Sequence, residues 1–159
     1  MSGRSLGAIK RLVVKMGSRV ILSDAFDDLV DEMASLACSG VEVAVVSSGA
    51  VAMGMRCLGL DLRPKTLKRV QALAALGQAE LIGRYNARLS RSNKRCAQVL
   101  LTHESLSQRR HAMNIRHTLE DVLALGLIPI VNENDSVATE ELRFGDNDRL
   151  AAAVGATLG

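Results

Sequence analysis

Tryptophan is absent from this chain, and its 159 residues include one tyrosine and two phenylalanines. The core must therefore be aliphatic, built from Leu, Val, Ile, Ala and Met. The shortage also counts against a single-stranded nucleic-acid binder, which needs aromatic platforms for stacked bases. Long apolar runs are missing too. None approaches the length of a membrane span, and Met1 to Lys10 lacks the apolar core of a signal peptide. The cysteines, Cys38, Cys57 and Cys96, are odd in number and share no metal-ligand spacing. A reduced, cytoplasmic protein with free thiols is expected, with neither membrane nor nucleic acid as partner. His103, His111 and His117 show no metal or triad spacing and are expected at the surface.

What is present is ordinary for a soluble globular domain: 48% hydrophobic residues, 23% charged residues and a formal charge of +3. The length suits one domain with a real core. Basic residues concentrate at Arg63 to Arg69, Arg84 to Arg95 and Arg109 to Arg116, each in or beside a helical stretch. Each reads as a solvated helix face or as an anion-binding patch.

After a polar tail over residues 1–10, Arg11 to Val20 reads as a buried strand running into a glycine turn. Asp24 is a candidate N-cap for a helix over Ala25 to Cys38, where Phe26, Leu29, Val30, Met33, Leu36 and Ala37 recur at helical spacing. Val41 to Val46 is a β-branched strand, completing a βαβ unit whose crossover should be right-handed and whose strands should be parallel. Further helices are expected over about Thr66 to Ser90 and Gln108 to Leu125, with strands at Cys96 to Leu101 and Leu127 to Val131. A polar turn follows at Asn132 to Asp135, then a short hairpin over Val137 to Phe144. Gly145-Asp146-Asn147-Asp148 opens a last helix to about Leu158. The alternation indicates a three-layer αβα sandwich around a mostly parallel sheet. The final helix stops where such a pattern would feed another strand, so a fragment, incomplete at its C-terminus, is expected.

Three polar clusters fall at strand ends, where open α/β sheets bind their ligands. Lys15-Met16-Gly17-Ser18 puts an ammonium beside a glycine turn whose N–H groups can meet phosphate oxygens. It is not a Walker loop, because the lysine precedes the glycine. An ordinary surface lysine is the alternative. Ser47-Ser48-Gly49-Ala50 joins a strand to a helix and reads as an anion-holding turn or as simple N-capping by serine. Asn132-Glu133-Asn134-Asp135 and Gly145-Asp146-Asn147-Asp148 contain more short polar groups than turns require. A site for an amino acid needs acceptors for its ammonium, donors for its carboxylate and acids to order cations, and these residues supply such groups.

These strings resemble a known family. Val13 to Ser18, Val46 to Val51, Gln71 to Gln78, Gln98 to Thr102, Pro129 to Asp135 and Gly145 to Asp148 together are similar, in order, to the glutamate 5-kinases of the amino-acid kinase family. The resemblance covers the chain from about residue 11 to its end. It implies ATP-dependent phosphorylation of L-glutamate to L-glutamyl 5-phosphate, with Mg2+ accompanying ATP and proline as a feedback ligand, in a homo-oligomer. It makes Lys15 the phosphate-binding catalytic lysine and Asp148 the acid that organises the catalytic lysines. Ser48, Asp135 and Asn147 become glutamate-binding residues, joined by Asn132 and Asp146 in the same loops. Gly17, Ser18 and Gly49 fall where backbone approaches the phosphoryl group. The segment His111 to Arg116 matches the family only loosely. Family members also continue into a half that holds the nucleotide and a second lysine, often followed by a PUA domain. Residues 11–159 are thus expected to be the substrate-binding part, inactive alone. A truncated, non-catalytic module that binds glutamate or proline, or assembles with a partner, is the alternative.

Overall fold

The computed structural model describes residues 9–102, 105, 108–137 and 147–159. Strand β1 (Arg11–Met16) leads through Gly17 into a one-turn helix α1 (Ser18–Ile21) and then into α2 (Ala25–Cys38). Strand β2 (Glu42–Ser47) is followed by α3 (Ala50–Cys57), the long helix α4 (Leu67–Leu89) and a 3-10 turn at Ser90–Ser92. Strand β3 (Cys96–Leu101), helix α5 (Arg109–Ala124), strand β4 (Ile128–Glu133) and helix α6 (Asn147–Leu158) complete the described elements. The four strands pair in parallel in the order β1-β2-β4-β3.

Alternation along the strands sorts the core into two layers, because successive side chains point to opposite faces. Met16, Val43, Val45, Ile128 and Ile130 meet α2 and α4 through Phe26, Val30, Met33, Leu81, Tyr85 and Leu89. Ala44, Val46, Leu101 and Val131 meet α5 and α6 through Ile115, Leu119, Leu123, Leu150, Val154 and Leu158. This is the expected three-layer sandwich. Two of the three aromatics meet: Phe26 and Tyr85 pack edge-on, with centroids 4.9 Å apart. The Arg84 guanidinium lies 4.1 Å above the Phe26 ring.

Several boundaries differ from expectation for local reasons. Asp24 precedes α2 but is already helical in backbone and makes no side-chain cap. The chain has turned before it, with Ser23 Oγ donating to the Val20 carbonyl at 2.9 Å. Strand β4 runs two residues further than expected, so Asn132 and Glu133 belong to the sheet and not to a turn. Their register partners, Leu100 and Leu101 on β3, are in place to continue the ladder. The basic stretch around Arg84 proves to be neither a bare solvated face nor an anion patch. Arg88 forks onto Asp27 and Asp31 of α2, and Arg84 pairs with Asp27 at 3.5 Å. The three cysteines are free thiols, and burial pushes Cys96 up to about 11. His111 and His117 are exposed. The expected hairpin from residue 138 onward, Gly145, Asp146 and His103 lie outside the described residues. Among the described residues no helix is long and apolar enough to cross a membrane.

Helices α3 and α4 lie unusually close. A Cβ added to Gly77 would stand 1.8 Å from the Ala50 carbonyl oxygen, and one added to Gly54 would stand 2.1 Å from that of Leu73. Only glycine permits that backbone contact. It seats the middle of α4 against the start of α3, beside the carboxyl ends of the strands.

Candidate functional site

Strands β1, β2 and β4 are neighbours in the sheet, so their carboxyl ends deliver three loops to one place. A cleft of about 700 Å³ opens there, within the range of small-molecule sites. Its walls include Lys15 at the end of β1, Gly17 and Ser18 just after it, Ser48 and Gly49 after β2, Asn132 at the end of β4, Asp135 just beyond, and Asn147 at the start of α6. These eight were all named from the sequence, and Asp148 joins them by pairing with Lys15. Asp146 lies outside the described residues.

The polar contacts are specific. Lys15 Nζ lies 3.0 Å from a carboxylate oxygen of Asp148, tying the end of β1 to the start of α6. Both side chains are well exposed, so the pair steers the ammonium more than it stabilises the fold. A Cβ on Gly17 would come within 3.8 Å of that ammonium. Asn147 donates its side-chain amide to Ser48 Oγ and to the Ser47 carbonyl oxygen, the latter at 3.2 Å. The N-capping alternative for Ser48 is therefore not what the structure uses. The residue before α3 is Gly49, with φ +96°, and it caps with no side chain. A Cβ there would also stand 3.3 Å from Ile21 Cγ2. The first N–H groups of an α-helix lack internal acceptors, and the start of α3, at Ala50, Val51 and Ala52, lines the cleft.

Asn132 borders the cleft but is only 1% exposed. Its Nδ2 donates to Gln78 Oε1 at 2.8 Å, and its Oδ1 accepts the Glu133 N–H at 2.9 Å. Asp135 is part-buried, and its carboxyl is pushed up to about 6. Burial is the main cause, the neighbouring Glu133 charge adds to it, and Arg63 opposes it. A carboxyl poised near neutrality in a cleft is a common mark of a functional site.

Three charged wall residues went unassigned in the sequence: Arg19, Arg63 and Glu133. A fourth, Gln78, supports the wall from behind. A signal for it existed, since it shares the buried stripe of α4 with Ala74, Gly77 and Leu81, where every other pattern position is apolar. Among the described residues no group of three His, Cys, Asp or Glu side chains could hold a metal ion.

The model of the amino acid kinase family matches residues 10–159. A glutamate 5-kinase of Thioalkalivibrio sulfidiphilus is 49% identical across 96% of this chain and 42% of its own length. Glutamate 5-kinases of Streptomyces coelicolor and Salinispora arenicola are 48% and 51% identical, each across 95% of this chain. The chain thus spans about two-fifths of the length of these curated relatives, 42% to 43%. Among solved structures, a UMP kinase from Bacillus anthracis superposes with a TM-score of 0.51 over 94% of this chain and 61% of its own, at 16% identity. At that identity the likeness concerns the fold alone.

Proposed function

The chain belongs to the amino acid kinase family, and from that premise we propose that it forms the acceptor-binding part of an ATP-dependent glutamate 5-kinase. The reaction would convert L-glutamate to L-glutamyl 5-phosphate, opening proline synthesis. The observation that carries this reading is the convergence of Lys15–Asp148, Asn147–Ser48 and Asp135 on one cleft.

The chemistry asks little of the protein beyond position and charge. A side-chain carboxylate with an ordinary pKa of about 4.3 is already ionised near neutrality, so no general base is required. One carboxylate oxygen attacks the terminal phosphorus of ATP, the bond from that phosphorus to the β-phosphate oxygen breaks, and ADP leaves. Lys15 places its ammonium against phosphoryl oxygens as charge spreads over them. Asp148 holds that ammonium at the mouth. Gly17 and Gly49 keep the backbone clear of side chains there, and the start of α3 supplies N–H donors. Asp135 accepts the substrate ammonium, while Asn147 and Ser48 hold and orient its polar groups.

The donor set suits magnesium only as a companion of the nucleotide. Mg2+ bound to ATP keeps several waters and needs one or two protein carboxylates, a demand that Asp148 can meet. When bound, the ion would neutralise phosphate charge.

The test is a coupled ADP-release assay on the protein encoded by the complete reading frame, with ATP, magnesium and a panel of acceptors. Turnover with glutamate, and not with aspartate, N-acetylglutamate or UMP, is expected. Glutamate or proline binding without ADP release would favour the non-catalytic module, and turnover with another acceptor would overturn the substrate.

A further inference from the structure

We infer that Gln78 and Tyr85 on α4 are positioning residues that hold the ends of β4 and β2 in the geometry a bound amino acid requires; this rests on reading the cleft as the glutamate site. The two lie seven residues apart, about two helical turns, and so share one face. Both are buried, Gln78 at 8% exposure and Tyr85 at 0%. The contacts of Gly77 with α3 and of Gly54 with α4 leave α4 little room to shift.

The amide orientations are forced. The Glu133 N–H points at Asn132, so Asn132 must offer its oxygen there and its NH2 group elsewhere. That NH2 group meets Gln78, so Gln78 must present its oxygen. The consequence is a buried Gln78 Nε2 with no hydrogen-bond partner among the described residues. Turning either amide over would set two donors against each other. Further along α4, the Tyr85 hydroxyl lies 3.2 Å from Ser47 Oγ, which itself donates to the Ser48 carbonyl at 3.2 Å. Tyr85 is therefore the donor. The Ser47 carbonyl and the Ser48 hydroxyl are the two acceptors of Asn147.

A residue selected for stability alone would not leave a buried donor unsatisfied. Leucine or methionine would fill position 78 as the aliphatic side chains fill 73 and 81. What glutamine adds is the one acceptor that fixes the Asn132 side chain, and through it the Glu133 backbone two residues before Asp135. Gln78→Met also leaves no more unmade buried donors than before: the unpaired Gln78 Nε2 disappears and the Asn132 Nδ2 takes its place. Stability and function should then separate.

The experiment compares Gln78→Met, Gln78→Glu and Tyr85→Phe with the parent in the full-length protein. Steady-state kinetics, thermal unfolding and the exchange rate of the Asn132 side-chain amide protons are read together. For Gln78→Met we expect KM for glutamate to rise about tenfold, KM for ATP to stay within about twofold, and Asn132 amide exchange to quicken at least about tenfold. Its Tm should stay within about 3 °C of the parent. Gln78→Glu keeps the acceptor and should recover most of the glutamate KM and the slow exchange. Tyr85→Phe should raise KM for glutamate about threefold. Unchanged amide exchange in Gln78→Met, or a KM for ATP raised as much as that for glutamate, would overturn the positioning role. So would a collapse of Tm not repaired by Gln78→Glu. If the parent shows no glutamate-dependent turnover, the functional reading fails, and the amide exchange still decides whether Gln78 fixes Asn132.

Discussion

Glutamate affinity should fall about tenfold between pH 7 and pH 5, because a carboxyl with a pKa of about 6 is mostly neutral at pH 5. The carboxyl is that of Asp135. Its upward shift comes first from burial and then from the neighbouring Glu133, with Arg63 pulling the other way. The substrate ammonium binds the ionised form, so occupied protein should release a proton near pH 6. Glutamate's own side chain, with an ordinary pKa of about 4.3, remains largely ionised at pH 5 and cannot account for the fall. The same shift bears on the empty protein with the opposite sign. Asp135 takes up a proton more readily folded than unfolded, so its contribution to stability falls as pH rises from 3.8 to about 6 and is level above that. A rise from 3.8 to about 6 corresponds to about 3 kcal/mol, reduced to about 1–2 kcal/mol by solvent screening of a part-buried group. Calorimetry of glutamate binding at pH 5, 6 and 7, in buffers of different ionisation enthalpy, reads both the affinity and the proton release. Asp135→Asn should bind weakly at every pH and lose the slope. Flat affinity in the parent from pH 5 to pH 7, with Asp135→Asn binding as tightly, would remove Asp135 from the site.

In the full-length protein, Lys15→Ala should lower kcat by about a hundredfold or more while leaving glutamate affinity within about threefold, because its ammonium acts on phosphoryl oxygens; stopped-time ADP release and calorimetry separate the two effects. Gly77→Ala should destabilise the fold by about 3 kcal/mol or more, since its Cβ would stand 1.8 Å from the Ala50 carbonyl oxygen. Urea unfolding monitored by circular dichroism would show it as a lowered midpoint.

Elements with a strong period are legible in the chain itself. Helix α2 occupies Ala25–Cys38 and strand β3 occupies Cys96–Leu101, as the apolar spacing indicates, because each buries a stripe that only one secondary structure can align. The strand-end clusters are legible for a related reason. Short polar residues following β-branched runs leave the sheet at the ends where parallel strands open their ligand crevice. The full length of strand β4 is not legible, because Asn132 and Glu133 look like turn residues. Their place in the sheet depends on Leu100 and Leu101, which stand far earlier in the chain. Asp24 looks like a cap for a matching reason, while the turn that replaces it is made by Val20 and Ser23.

The sequence alone determined which side chains could meet a phosphate and an amino acid, since lysine, aspartate, asparagine and glycine carry that chemistry wherever they stand. It also set the two-layer core, because alternation along each strand commits residues to opposite faces. The tertiary structure decided how those side chains are held. The Lys15–Asp148 pair joins the first strand to the last helix, and the Asn147 contacts join that helix to β2. The Gln78–Asn132 bond exists because two glycines let α4 press against α3. Such contacts depend on distances between elements, and no local pattern records a distance.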